Sequence, residues 1–234
     1  VNFNNPKRLN AIGPNEFRRL GEIAREFHCD HRQKLLLYTG EGRVFTSGGD
    51  LPQAIKATHA QRLDDFYNAY KSCYLNSQLK KPFVAIWDGV SMGGGIGASI
   101  NAGYKIVSEK LVFSMPECKV GFAPDVGAAK FLQNTKNIDG FAFALYVTIA
   151  SSRLNHHDAV YSGMADYFIP KERLSVVVEK LSEEVPDDLD TFFHSFAEDI
   201  DFEQSEIFQN QELIEAIFGN SCSVEQIMRR LETQ

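Results

Sequence analysis

The sequence predicts an α/β fold, and three observations carry that prediction. Short strand-like apolar runs alternate with longer stretches of helical periodicity, as expected for strands covered by helices. The 234 residues suffice for one substantial core. A glycine run, Gly93-Gly94-Gly95, stands between a strand-like and a helix-like segment, where bare backbone can approach a ligand or a neighbouring chain closely.

Taken in order, Val1, Asn2 and Phe3 are already strand-like, and no initiator methionine or targeting segment precedes them, so the natural N-terminus is expected upstream. Pro14 sits where a first-turn proline belongs, and Phe17, Leu20, Ala24 and Phe27 keep one face of the following helix apolar. A strand is predicted at 34–39, and the segment 45–50 ends another in small residues. A second helix carries Leu63, Phe66, Tyr67, Tyr70 and Tyr74 on one side. Further strands are predicted at 82–87, 104–107, 111–115 and 166–169. Beyond Pro170 the pattern turns helical: Leu174, Val177, Val178 and Leu181 recur at helical spacing, and Pro186 ends that segment. A last helix is predicted at 223–232, capped by Ser223 with Gln226 three residues later. The acidic groups at 187–190 and 198–201 are expected to be solvated faces and caps.

Composition excludes several classes. Apolar and charged fractions of 44% and 24% are those of an ordinary globular protein. No apolar run reaches the ~18 residues needed to span a membrane as a helix. A net charge of -7 argues against a general nucleic-acid surface, which needs clustered cations. Cys29, Cys73, Cys118 and Cys222 are scattered without C-x-x-C spacing, so reduced thiols are expected. His156 and His157, beside Asp158, are expected to open a helix; no third ligand stands at metal spacing, so no metal is expected.

The glycine run admits three readings. Gly93, Gly95 and Ala98 fit the loose dinucleotide fingerprint, and the acidic Glu117 follows; residues 88–92 intervene, however, and spoil the strand–turn–helix context. A tight turn with close packing is the bland alternative. The third reading is a turn that binds an oxyanion. It gains force from the segment 45–50, because two glycine turns could each offer one N–H to the same carbonyl oxygen. Glu117 by itself would be a surface residue at a strand end, and Asp125 could simply cap a helix.

With these motifs in their order, the chain resembles the crotonase (enoyl-CoA hydratase/isomerase) superfamily. The segment Asn5 to Ile12 is similar to that family's opening N-x-P-x-x-x-N-A-[LI] motif, residues 45–51 to its first oxyanion turn, and 93–95 to its second. Within the superfamily it most resembles the 3-hydroxyisobutyryl-CoA hydrolases, through S-M-G-G-G-I-G, M-P-E-C-K-V-G and F-A-P-D-V-G. The resemblance extends weakly into 152–154 and 223–227, so it covers nearly the whole chain. It implies a spiral of ββα units over residues 1–169 and a helical region over 170–234, truncated or reduced relative to the family.

The resemblance also implies roles. The N–H groups of Gly49 and Gly94 would form an oxyanion hole. Glu117 would be the principal catalytic carboxylate and Asp125 the second, so Gly94, Glu117 and Asp125 would contact substrate. Gly97 stands where a hydratase of this superfamily carries its other glutamate, which argues against adding water across a double bond. Burial near Phe113, Phe122 and Val126 would raise a carboxyl pKa. The implied activity is hydrolysis of a short branched hydroxyacyl-CoA thioester in valine catabolism, in a mitochondrion. Coenzyme A is part of the substrate, so no separate cofactor is implied, and a homo-oligomer is possible. Lys7 and Arg8 are candidates for coenzyme A contacts. Three features depart from the pattern: Ala69 stands where a substrate-contacting glutamate is expected, with Asp64 and Asp65 nearby; Ala128 and Ala129 replace glycines; the C-terminus is short. The alternatives are a non-catalytic, crotonase-like component of the mitochondrial small ribosomal subunit, or an enoyl-CoA hydratase/isomerase-type enzyme.

Overall fold

The computed structural model describes residues 1–221 and 223–233, so Cys222 lies outside the described residues. The chain begins with β1 (Asn2–Phe3), α1 (Pro14–Cys29), β2 (Leu36–Gly40), β3 (Val44–Thr46), α2 (Leu51–Lys56) and α3 (His59–Ser77). Next come β4 (Phe83–Trp87), β5 (Val90–Met92), α4 (Gly94–Ser99), β6 (Tyr104–Val107) and β7 (Val112–Ser114). The rest runs α5 (Ala128–Phe131), α6 (Gly140–Ile149), α7 (His156–Tyr161), β8 (Tyr167–Phe168), α8 (Lys171–Glu183), α9 (Leu189–His194), α10 (Glu206–Gln209), α11 (Gln211–Phe218) and α12 (Val224–Glu232).

The strands divide between two parallel sheets. One has the order β1-β2-β4-β6-β8, the other β3-β5-β7. Three successive turns, β2-β3, β4-β5 and β6-β7, each lay one strand in the large sheet and the next in the small one before leaving through a helix or loop, and β1 and β8 add the edge strands of the large sheet. This is the ββα spiral that the family resemblance implies. Residue pattern alone missed β5, because Val-Ser-Met is too short for an alternation to register. That segment, taken in sequence as an interruption before the glycines, is a strand that aims them.

Parallel sheets need cover on both faces, and β4 shows how this sequence supplies it. Phe83, Ala85 and Trp87 face the main core with Tyr38, Phe45 and Phe113. Val84 and Ile86 face the other way, onto Leu174, Val177 and Leu181 of α8 and Leu189 and Phe193 of α9. All five β4 residues are buried. The two-residue period of the strand sorts them between the two layers. Helix α11 lies along α6, bringing Ile214, Ile217 and Phe218 into the main core together with Ile227 of α12.

Helix α1 buries the predicted face, with Phe17, Leu20, Ala24 and Phe27 all inside. Helix α3 does the reverse. Leu63, Phe66, Tyr67, Tyr70 and Tyr74 are exposed, whereas Asn68, Ala69, Ser72, Cys73 and Asn76 are buried. The small residues let α3 sit close to α1 and α4, and Asn76 is satisfied there by donating to the Ala98 carbonyl (2.7 Å). Its aromatic side is left for the surface beside the site. Ser223 caps α12 by accepting from Gln226 N (3.3 Å), as the sequence predicts. Cys29, Cys73 and Cys118 are free thiols. Among the described residues no helix is long and apolar enough to cross a membrane.

Candidate active site

The site forms where the two glycine turns abut. On the first, Ile12 N donates to Gly48 O (2.8 Å) and Asp50 N donates to Ile12 O (3.1 Å), a parallel bridge that flanks Gly49. In that pattern the N–H of Gly49 points away from Ile12. Asp50, buried at the turn's end, accepts from Gln53 N (3.0 Å) to cap α2 and from the Arg8 guanidinium (2.7 Å). Arg8 thereby braces the turn, with its side chain still about half exposed.

On the second turn, Gly93 N donates to Ser114 O (3.2 Å), and Gly94 opens α4 with its N–H at a position that has no intrahelical partner. A Cβ placed on Gly94 would lie 3.6 Å from Gly49 N, and one on Gly48 would lie 3.4 Å from Gly94 N. The two turns thus bring both amides into one small region. Gly93 has a φ of 49°, and a Cβ there would stand 2.7 Å from Glu117 Oε1. That backbone conformation favours glycine at 93, and a side chain there would also displace the Glu117 carboxylate.

Glu117 follows β7 and Pro116 at the head of a short 3₁₀ turn, Glu117–Val120. It is half-buried, and its Oε2 has no hydrogen-bond partner among the described residues. Burial pushes the carboxyl up to about 7, and the charge of Asp125 adds to the rise. Asp125 accepts from the Tyr70 hydroxyl at 2.8 Å. Its pKa is raised by burial, with the Tyr70 hydrogen bond opposing. Burial and Asp125 push the Tyr70 hydroxyl up to about 12, so it remains a donor. Asp125 does not cap α5: that position belongs to Gly127, which makes no side-chain cap.

Gly49, Gly94, Glu117 and Asp125 line one cavity of about 420 Å³. Phe122 and Val126 line it too, as expected; Phe113 does not, being fully buried beside Trp87 in the core. Ala69 is buried in the cavity wall without a carboxylate, but Asp65, one helical turn earlier, also lines the cavity. Stacking of Phe66 on Phe122 (5.6 Å between centroids) ties α3 to the loop that carries both acids.

One hydrogen-bond partner and one backbone conformation that matter here escaped sequence reasoning. Tyr70 was legible only as part of an aromatic helix side. Val126 has a φ of 44°, a left-handed conformation that costs a β-branched residue on the order of 1–3 kcal/mol. It lies against Gly97, where an added Cβ would fall within contact of Val126 Cβ and Cγ2. No side chain, and hence no glutamate, fits at 97 unless Val126 moves.

His156 and His157 open α7 as expected, with centroids 4.0 Å apart and His156 against Phe168. Burial, then the neighbouring His157, pushes the His156 imidazole down to about 4. Among the described residues no group of three His, Cys, Asp or Glu side chains is placed to hold a metal.

Comparison with known proteins agrees with this architecture. The family described as enoyl-CoA hydratase/isomerase matches residues 1–234. The chain is similar to the mitochondrial 3-hydroxyisobutyryl-CoA hydrolase of Xenopus laevis, 32% identical over 247 residues, covering 99% of this chain and 62% of that protein. It is also similar to small ribosomal subunit protein mS47 of Neurospora crassa, 32% identical over 199 residues, covering 80% of this chain and 38% of that protein. The backbone matches the crystal structure of a carnitinyl-CoA dehydratase from Mycobacterium thermoresistibile with a TM-score of 0.86 at 23% identity, over 99% of this chain and 66% of that one. The chain spans 62% of the length of several hydrolases that it matches. On its motifs, its two-sheet spiral and these matches, the chain belongs to the enoyl-CoA hydratase/isomerase family.

Proposed function

We propose that this chain carries the catalytic core of a mitochondrial acyl-CoA thioester hydrolase acting on a short hydroxyacyl group of the 3-hydroxyisobutyryl type. One observation carries the proposal: two amides from separate turns meet beside a half-buried carboxylate whose Oε2 is unpartnered, all lining one cavity. The thioester carbonyl oxygen would sit against the N–H groups of Gly49 and Gly94. Each such donor contributes roughly 3–4 kcal/mol to a developing oxyanion. Ionised Glu117 either attacks the carbonyl carbon or takes a proton from an attacking water; both routes need its negative charge beside the carbonyl. Asp125, held by Tyr70, would receive the hydroxyl of the acyl group or pass a proton to the departing thiolate. A double-bond hydratase is disfavoured, since Val126 fills the space above Gly97 that a second glutamate needs. Mitochondrial location rests on the names of several related hydrolases.

The test is release of free thiol from 3-hydroxyisobutyryl-CoA. Glu117→Gln should lower that rate by roughly 10²–10⁴-fold with ligand binding retained. Wild-type turnover by this variant would remove Glu117 from the mechanism. The likeness to mS47 supports a second, non-catalytic reading. A folded wild type that binds the thioester and releases no thiol would favour it.

A further inference from the structure

A second and larger hollow, of about 1110 Å³, adjoins the first, and Asp125 and Val126 line both. Its wall includes Ser77, Asn101, Gln133 and Asn134, side chains able to donate and accept hydrogen bonds. The Tyr70–Asp125 hydrogen bond and the Val126 side chain therefore stand where the two spaces meet. Val126 is held there against its backbone preference, with a φ of 44°, and the next residue, Gly127, also has positive φ, at 86°. The bare Cα of Gly97 supplies the seat for its side chain. A branched residue in a strained conformation, fitted over a glycine at the junction of two cavities, is placed to set how far a ligand passes.

Building on the thioester reading above, we propose that Val126 is a specificity-determining partition. It stops a short acyl group beside the carboxylates and closes off the polar hollow behind it, which would take the end of a longer acyl chain carrying a hydrogen-bonding group only once the partition is removed. Substituting Val126 with a small residue would open the passage. Alanine removes the branches, and glycine also suits the positive φ, so the glycine variant is the safer of the two for folding.

The experiment measures binding, so it is independent of turnover. S-alkyl-CoA thioethers of increasing chain length, with and without a terminal hydroxyl, are titrated by calorimetry into wild type, Val126→Ala and Val126→Gly. Thermal melting confirms that each is folded. In wild type, affinity should stop rising once the chain reaches the partition. In the variants it should continue to rise, by about fourfold for each further buried methylene, with the terminal hydroxyl accepted. Parallel length profiles in all three proteins would overturn the partition and leave the thioester site intact. No saturable binding of even the shortest thioether to wild type would overturn the underlying reading, and the partition with it.

Discussion

Glu117 answers two opposed demands with one side chain. The proposed mechanism needs its charge, while burial resists that charge and pushes its pKa up to about 7. A carboxyl with a raised folded-state pKa binds its proton more tightly in the fold than in the unfolded chain. The stability it contributes is present at low pH and is lost as pH rises from about 4.5 through 7. Glu117→Gln should therefore be more stable than wild type above pH 7, by roughly 1–2 kcal/mol once solvent screening of a half-buried group is counted. The two should converge near pH 4 in denaturant titrations, and a gap independent of pH would contradict the burial argument. Catalysis should show the mirror image, with kcat/KM rising across a single limb near pH 7. Tyr70→Phe removes the donor that lowers the Asp125 pKa. It should raise that pKa further and cost roughly 0.5–1.5 kcal/mol of stability. A titration of Asp125 followed by NMR should show the upward shift.

At the scale of elements, turns and caps do the positioning. Gly93→Ala would set a Cβ 2.7 Å from Glu117 Oε1 at a φ of 49°. We expect a loss of about 1–2 kcal/mol of stability and a much larger relative loss of thiol release, because the carboxylate must swing away. Equal small effects on both would show that Glu117 is not held by the glycine turn. Away from the site, Asp158 joins two helices through one buried carboxylate. It returns the cap of α7 by accepting from Asn155 N (3.0 Å), and it accepts from Ser205 Oγ (2.8 Å) and Ile207 N (3.0 Å) at the start of α10. Asp158→Ala strands those donors and should cost roughly 2–4 kcal/mol by urea denaturation. A cost under about 0.5 kcal/mol would mean that water replaces the carboxylate freely.

The whole molecule separates support from the candidate site across the large sheet. Helices α8 and α9 cover one face of that sheet, and α1, α3 and the site lie with the main core on the other. Phe193→Ala, in fully buried α9 packing, should lower stability by about 3–5 kcal/mol. Thiol release per folded molecule should stay within about threefold of wild type, since distant sites act independently. A larger drop in activity at a temperature where the variant is folded would show that the two layers are coupled.

The division between sequence and tertiary structure follows from range. The apolar face of α1, the strand character of β4 and the Ser223 cap depend on neighbours within a few residues, so periodicity and local chemistry determined them. The motifs at 45–51, 93–97 and 117–127 named Gly49, Gly94, Glu117 and Asp125 without saying whether they meet. Only the spiral of two sheets decided that, by bringing turns some 45 residues apart in the chain into contact through β3 and β5. The same packing turned the aromatic side of α3 outward, gave Asp125 to Tyr70 instead of a helix end, and seated Val126 on Gly97. Those outcomes rest on contacts between residues 29 to 55 positions apart, which no local pattern encodes.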